Sequence, residues 1–117
     1  MSLLVTGATK ALAPTGGIAS NVGNIATRTT TFNVTNASST VYAYVGVFNN
    51  YSDAVAMDHP TVGADAGGVI IVPNGSITIT AANGLPATQA NVYIAAITAT
   101  GSTTVFFTPV AAGSSAN

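Results

Sequence analysis

Hydrophobic and polar residues alternate with a period of two through much of the chain. Arg28 to Asn36 sets Phe32 and Val34 against Thr31, Asn33 and Thr35. Ser76 to Ala81 sets Ile77 and Ile79 against Thr78 and Thr80. Strict alternation is the mark of a strand with one wet face. Thr40 to Phe48 breaks the rule. There Val41, Ala43, Val45 and Val47 occupy one side, and Tyr42, Tyr44, Gly46 and Phe48 the other. Residues 92–97 repeat this, with Val92, Ile94 and Ala96 against Tyr93, Ala95 and Ile97. Val69 to Val72 reads as a short buried strand. Asn91 to Thr100 and Thr103 to Val110 read as a closing hairpin around Gly101-Ser102. Residues 3–13 form a weak first strand or arm, 14–28 a Gly/Ala/Asn-rich connection, and 49–67 a long loop.

These elements predict an all-β fold: a small antiparallel β-sandwich or barrel, Ig-like or jelly-roll-like, with an extended N-terminal arm. Residues 1–28 would be the arm, 29–110 the sandwich and 111–117 a small-residue tail. Composition agrees. Thr, Val and Ile side chains are stiff at χ1 and fit a pleated surface, while Glu is absent and Leu, Lys, Arg and Gln are scarce. Gly, Asn and Pro punctuate the chain at Gly16-Gly17, Asn49-Asn50, Gly67-Gly68, Pro73-Asn74-Gly75 and Asn83-Gly84.

A sandwich has one core, so the second apolar face of the 40–48 and 92–97 strands must meet something else. Either the N-terminal segment folds back over it or another subunit does. Aromatic residues suit an interface because they bury large area and keep a polar handle. The candidate interface residues are therefore Tyr42, Tyr44, Phe48, Tyr93 and Phe106, with Leu3, Leu4, Val5, Leu12 and Ile18 as anchors along the arm.

Charge sharpens this picture. The 117 residues are 48% hydrophobic and 4% charged, and the charges are Lys10 and Arg28 against Asp53, Asp58 and Asp65. Net charge is the main force that keeps monomers apart, so this surface suits packing against other subunits. A chain with two cations cannot bind nucleic acid through counterion release. No Cys is present, which excludes disulfide scaffolds, thiolate zinc sites and thiol catalysis. No apolar run approaches the ~18 residues of a membrane helix. Met1 to Gly7 lacks the basic start and apolar run of a secretion signal, so synthesis in a cytoplasm is expected.

Three acids and the single His lie together at Asp53, Asp58, His59 and Asp65. Such groups can ligate a divalent cation, but the spacing matches no calcium loop. Acids that keep an exposed loop solvated are the expectation, with no metal, cofactor or catalytic residue assigned. Eighteen Thr residues raise a flat hydroxyl ladder as another possibility. A binding ladder repeats one triplet on successive turns, and this chain has no such repeat.

Five segments carry a resemblance. They are Thr31-Phe32-Asn33-Val34-Thr35-Asn36, Val41-Tyr42-Ala43-Tyr44-Val45-Gly46-Val47, Ile71-Val72-Pro73-Asn74-Gly75-Ser76-Ile77-Thr78-Ile79, Val92-Tyr93-Ile94-Ala95-Ala96-Ile97 and Gly101-Ser102-Thr103-Thr104-Val105. In this order, across roughly residues 29–108, they resemble the small β-sandwich decoration or cement proteins of tailed-bacteriophage capsids. The resemblance implies a non-enzymatic virion protein on the outer capsid surface. It would bridge neighbouring major capsid protein subunits, as a homo-oligomer with a trimer favoured. The alternatives are a phage tail or head-fibre module, or a glycan-binding Ig-like domain of a surface appendage.

Overall fold

Alternating β-branched residues pair as the sequence demands, and they do so in two sheets. The computed structural model describes residues 4–16, 21–25, 31–57, 68–80 and 91–111. Within these lie eight strands: β1 (Lys10–Leu12), β2 (Asn21–Ile25), β3 (Thr31–Asn36), β4 (Ala43–Phe48), β5 (Val69–Ile71), β6 (Ser76–Thr80), β7 (Val92–Ile97) and β8 (Val105–Pro109). A helix, α1 (Tyr51–Ala56), separates β4 from β5. One sheet has the order β1-β8-β3-β6 and the other β2-β7-β4-β5. All pairings are antiparallel.

The pairs β1–β8, β2–β7, β3–β6 and β4–β5 are those of one long antiparallel ribbon folded on itself. Rolling that ribbon brings β3 against β8 and β4 against β7. The sandwich is therefore a double-sheet jelly roll, not an Ig-like arrangement.

The core lies between the sheets. Phe32 and Val34 of β3, and Val105 and Phe107 of β8, face Val45 of β4 and Val92 and Ile94 of β7, all fully buried. Ile77 and Ile79 of β6 pack on this cluster from the edge, on the side their alternation predicts. Leu12 joins it at 5% exposure, paired with Val105. Leu12 is thus a core residue and not an arm anchor: the hydrophobic gain of burying its side chain, about 2 kcal/mol, fixes β1 to the sandwich.

Four further expectations change. β7 and β8 are not a hairpin, because they belong to opposite sheets. The connection between them is an arch. Thr98 Oγ1 donates to the Gly101 carbonyl at 2.7 Å, and Gly101 takes a φ of 76° that only glycine adopts freely. The 14–28 connection contains β2, an edge strand pairing with β7. The 49–67 loop contains α1, and β5 is an exposed edge strand in which only Ile71 is buried.

The arch end of the roll is closed by one buried amide. Asn36, fully buried at the end of β3, donates through Nδ2 to the carbonyls of Val41 (2.7 Å), Ile71 (3.3 Å) and Val72 (3.3 Å). Its Oδ1 accepts from Thr103 Oγ1 at 2.6 Å and from the Ser38 N–H at 3.2 Å. The β5–β6 turn has Pro73 second and Asn74 third with φ of 60°, and the Gly75 N–H returns to the Val72 carbonyl at 2.9 Å, the pattern of a type II turn. Its neighbours hold it on both sides: Asn74 N–H donates to the Ser38 carbonyl and Gly75 accepts from Asn36 N–H.

Candidate functional site

The doubly apolar strands β4 and β7 sit side by side in the centre of their sheet. Their outward residues form a second cluster of Tyr44, Ala95 and Ile97, with Val22, Phe48 and Tyr93 packed against it. What covers it is α1. Ala54 and Met57 turn inward and are buried at 0% and 4% exposure. Tyr51 meets Tyr93 edge to face, with ring centroids 5.9 Å apart. Gly46 leaves room for this cover, since a Cβ there would come within 2.6 Å of the Phe48 ring and 2.9 Å of Met57 Sδ.

The helix is started by its first turn. Asn50 caps it, accepting from the Asp53 N–H at 2.9 Å and donating from Nδ2 to Asp53 Oδ2 at 2.8 Å. Asp53 therefore serves the helix cap. Asp58, His59 and Asp65 lie outside the described residues, and among the described residues no group of three His, Cys, Asp or Glu is placed to hold a metal.

This cover changes the status of three interface candidates. Tyr44 is buried, and its hydroxyl accepts from the Gly68 N–H at 2.7 Å. Phe48 and Tyr93 are half-buried under α1. Their apolar surroundings include the chain's own helix. Leu3 and Ile18 lie outside the described residues. Leu4 and Val5 are exposed where Val5 bridges to Val110 beside the end of β8. Phe106 is 39% exposed on the outer face of the β1-β8-β3-β6 sheet.

Tyr42 keeps its place as a surface residue. It continues β4 toward the arch end, and the register that pairs Tyr44 with Ile70 sets Tyr42 opposite Val72. Tyr42, Ile70 and Val72 are each more than half exposed. They form an apolar strip beside β5, an edge strand that carries no charge. The apolar run at 69–72 predicts a buried strand, but Ile70 and Val72 face solvent. The signal that finds them is the short length of β5 between glycines and Pro73, which suits an edge better than a sheet centre.

Comparison with family models, with curated proteins and with solved structures gives no match. The functional argument therefore rests on the chemistry of the surface.

Three parts of that surface stand out among the described residues. The first is the apolar strip. The second is the outer face of the β1-β8-β3-β6 sheet, a field of small hydroxyls and amides. There Thr9 pairs with Thr108 (2.7 Å), Thr31 with Thr80 (3.0 Å) and Thr35 with Ser76 (3.1 Å), while Ser76 also donates to Asn33 Oδ1. The roll assembles this field from four separate segments, so no sequence repeat announces it. The third is a hollow beside β2 and α1, lined by Lys10, Val22, Gly23, Asn24, Tyr51 and Tyr93. Lys10 and Asp53 are the charged side chains among the described residues, and they are not brought together as an acid–base pair. No helix among the described residues is long and apolar enough to cross a membrane.

Proposed function

We propose that this chain is a non-enzymatic virion structural protein, a capsid decoration or cement protein. It docks on the outer surface of an assembled shell and bridges neighbouring major capsid protein subunits, itself associating as a trimer. The observation that carries this reading is the uncovered strip of Tyr42, Ile70 and Val72 on a surface almost without charge. Apolar area removed from water contributes about 25 cal/mol per Å² before association costs. A shell offers many symmetric copies of one joint, so modest contacts stiffen it collectively. The jelly roll is a fold that capsid domains use, which supports the reading by analogy.

The test is to mix the purified chain with shells of a tailed phage assembled without it, and to sediment them. Saturable co-sedimentation in a fixed ratio to the major capsid protein, weakened by Tyr42→Ser and Ile70→Asn, is the expected result. A chain that stays in the supernatant at every concentration overturns the proposal.

A further inference from the structure

The hollow beside β2 is separate from the apolar strip. Both lie on the β2-β7-β4-β5 sheet, but β2 and β5 are its two opposite edges. The hollow has a volume of about 270 Å³, the space of roughly nine waters at ~30 Å³ each. The hollow is open to solvent and has room for a ring-sized group.

Its walls are built by register. Asn24 and Tyr93 are direct partners across β2 and β7. Tyr51 of α1 stands against the Tyr93 ring at an interplanar angle of 72°, and the Tyr51 residue is 60% exposed. Lys10 comes from the other sheet. It lies across the sandwich edge at Gly23, where a Cβ would meet Lys10 Cε at 2.8 Å and Leu12 Cδ2 at 3.1 Å. Gly23 thus makes room for the Lys10 stem at the sandwich edge, and Lys10, the one cation among the described residues, lines the hollow with Tyr51 and Tyr93.

We infer that this hollow binds one acidic sugar residue, a hexuronate unit of a polysaccharide, through the exposed ring of Tyr51, the amide of Asn24 and the ammonium of Lys10. The chemistry assigns each role. A tyrosine ring presents a π-face to the C–H face of a pyranose and keeps its hydroxyl for water or ligand. A carboxamide both donates and accepts, which suits vicinal hydroxyls. Lysine is a compact point charge for a carboxylate. This inference does not depend on docking to a capsid, and it is tested on the free chain.

The experiment titrates the full chain with methyl β-glucuronide, methyl β-glucoside, acetate and inorganic phosphate, following backbone amide shifts by NMR. Methyl β-glucuronide is expected to bind in the roughly millimolar range usual for a single ring, moving the amides of Lys10, Gly23, Asn24, Tyr51 and Tyr93. The glucoside should bind at least threefold more weakly, and acetate and phosphate more weakly still. Lys10→Gln should reduce the glucuronide to the level of the glucoside. Tyr51→Ala should weaken both sugars at least fivefold, with the rest of the spectrum showing that the sandwich stays folded. Thr78→Ala, on the outer face of the other sheet, should change neither. Equal affinity for glucuronide and glucoside, or acetate or phosphate binding as tightly as the glucuronide, overturns the assignment. So does the absence of any shift at these five amides.

Discussion

The Thr103 hydroxyl donates a 2.6 Å hydrogen bond to Asn36 Oδ1 across 67 residues of sequence. Both residues are buried, and together they join the β3–β4, β5–β6 and β7–β8 connections at one end of the roll. A buried amide with every partner in place is worth more than its count of bonds, because removing it strands its neighbours without water.

Asn36→Ala leaves the Val41, Ile71 and Val72 carbonyls and the Thr103 hydroxyl short of a partner. The expected loss is about 2–4 kcal/mol. Asn36→Asp should be at least as damaging, since it turns an oxygen toward three carbonyl oxygens. Thr103→Val should lose about 1–2 kcal/mol, and Thr103→Ser much less. Urea titration checks this through the midpoint at unchanged slope. Near-wild-type stability of Asn36→Ala would show that the arches hold without it.

The α1 cover gives a second prediction. Removing the cap by Asn50→Ala should lose about 1 kcal/mol and loosen the helix from Tyr44, Ala95 and Ile97. Binding of a hydrophobic dye should rise before global unfolding, and amide exchange at Met57, whose N–H donates to the Ala54 carbonyl, should quicken. Gly46→Ala acts from beneath, pushing on Phe48 and Met57. Overpacking of this kind costs about 1–3 kcal/mol. Gly68→Ala should be worse, because its Cβ would strike the Val45 carbonyl, which cannot turn aside as a side chain can.

What could be read from sequence follows a physical boundary. Phe32, Val34, Ile77 and Ile79 were legible because alternation in a strand reports one wet face directly. The double apolar character of β4 and β7 was legible too, but not its cause. A helix of six residues carries less than two turns of periodicity. Its one clear sign is the Asn50 and Asp53 pair at capping spacing, which the surrounding acids disguise as part of a solvated loop. β2 was hidden because Gly23 and its flanking Asn residues have poor strand propensity, and its edge position asks little of them. The Gly101-Ser102 turn misled because a tight turn says nothing about which sheet the next strand joins. That choice lies in Thr98, Thr103 and Asn36, and only the fold brings them together.

The two ends of the 4–16 segment should behave differently. Leu12 is in the core, so Leu12→Ala should lose about 2–4 kcal/mol. Leu4 and Val5 are more than 60% exposed, so Leu4→Ser and Val5→Ser should stay within about 0.5 kcal/mol of the parent. Thermal unfolding of the three variants decides this. It also determines how truncation must be read: deleting residues 1–13 removes β1 and exposes the β8 edge, so assembly lost on that deletion would report unfolding. The serine variants probe a surface role without that confusion.

Association through the Tyr42, Ile70 and Val72 strip should respond to apolar truncation and not to salt. The strip and the adjacent β5 hold no charged residue. Screening acts on charge pairs within about a Debye length, ~10 Å at 0.1 M. Occupancy on shells should therefore change less than about twofold between roughly 50 and 500 mM sodium chloride, or rise slightly as salt strengthens apolar burial. Val72→Ser and Tyr42→Ser should weaken binding several-fold, mostly through faster release. Both positions are more than half exposed, so the variants should keep the parent melting temperature and the comparison isolates docking from folding. A steep fall in occupancy with salt would mean that the joint is charged, and Lys10 or Arg28 would then replace Tyr42 as the residue to examine.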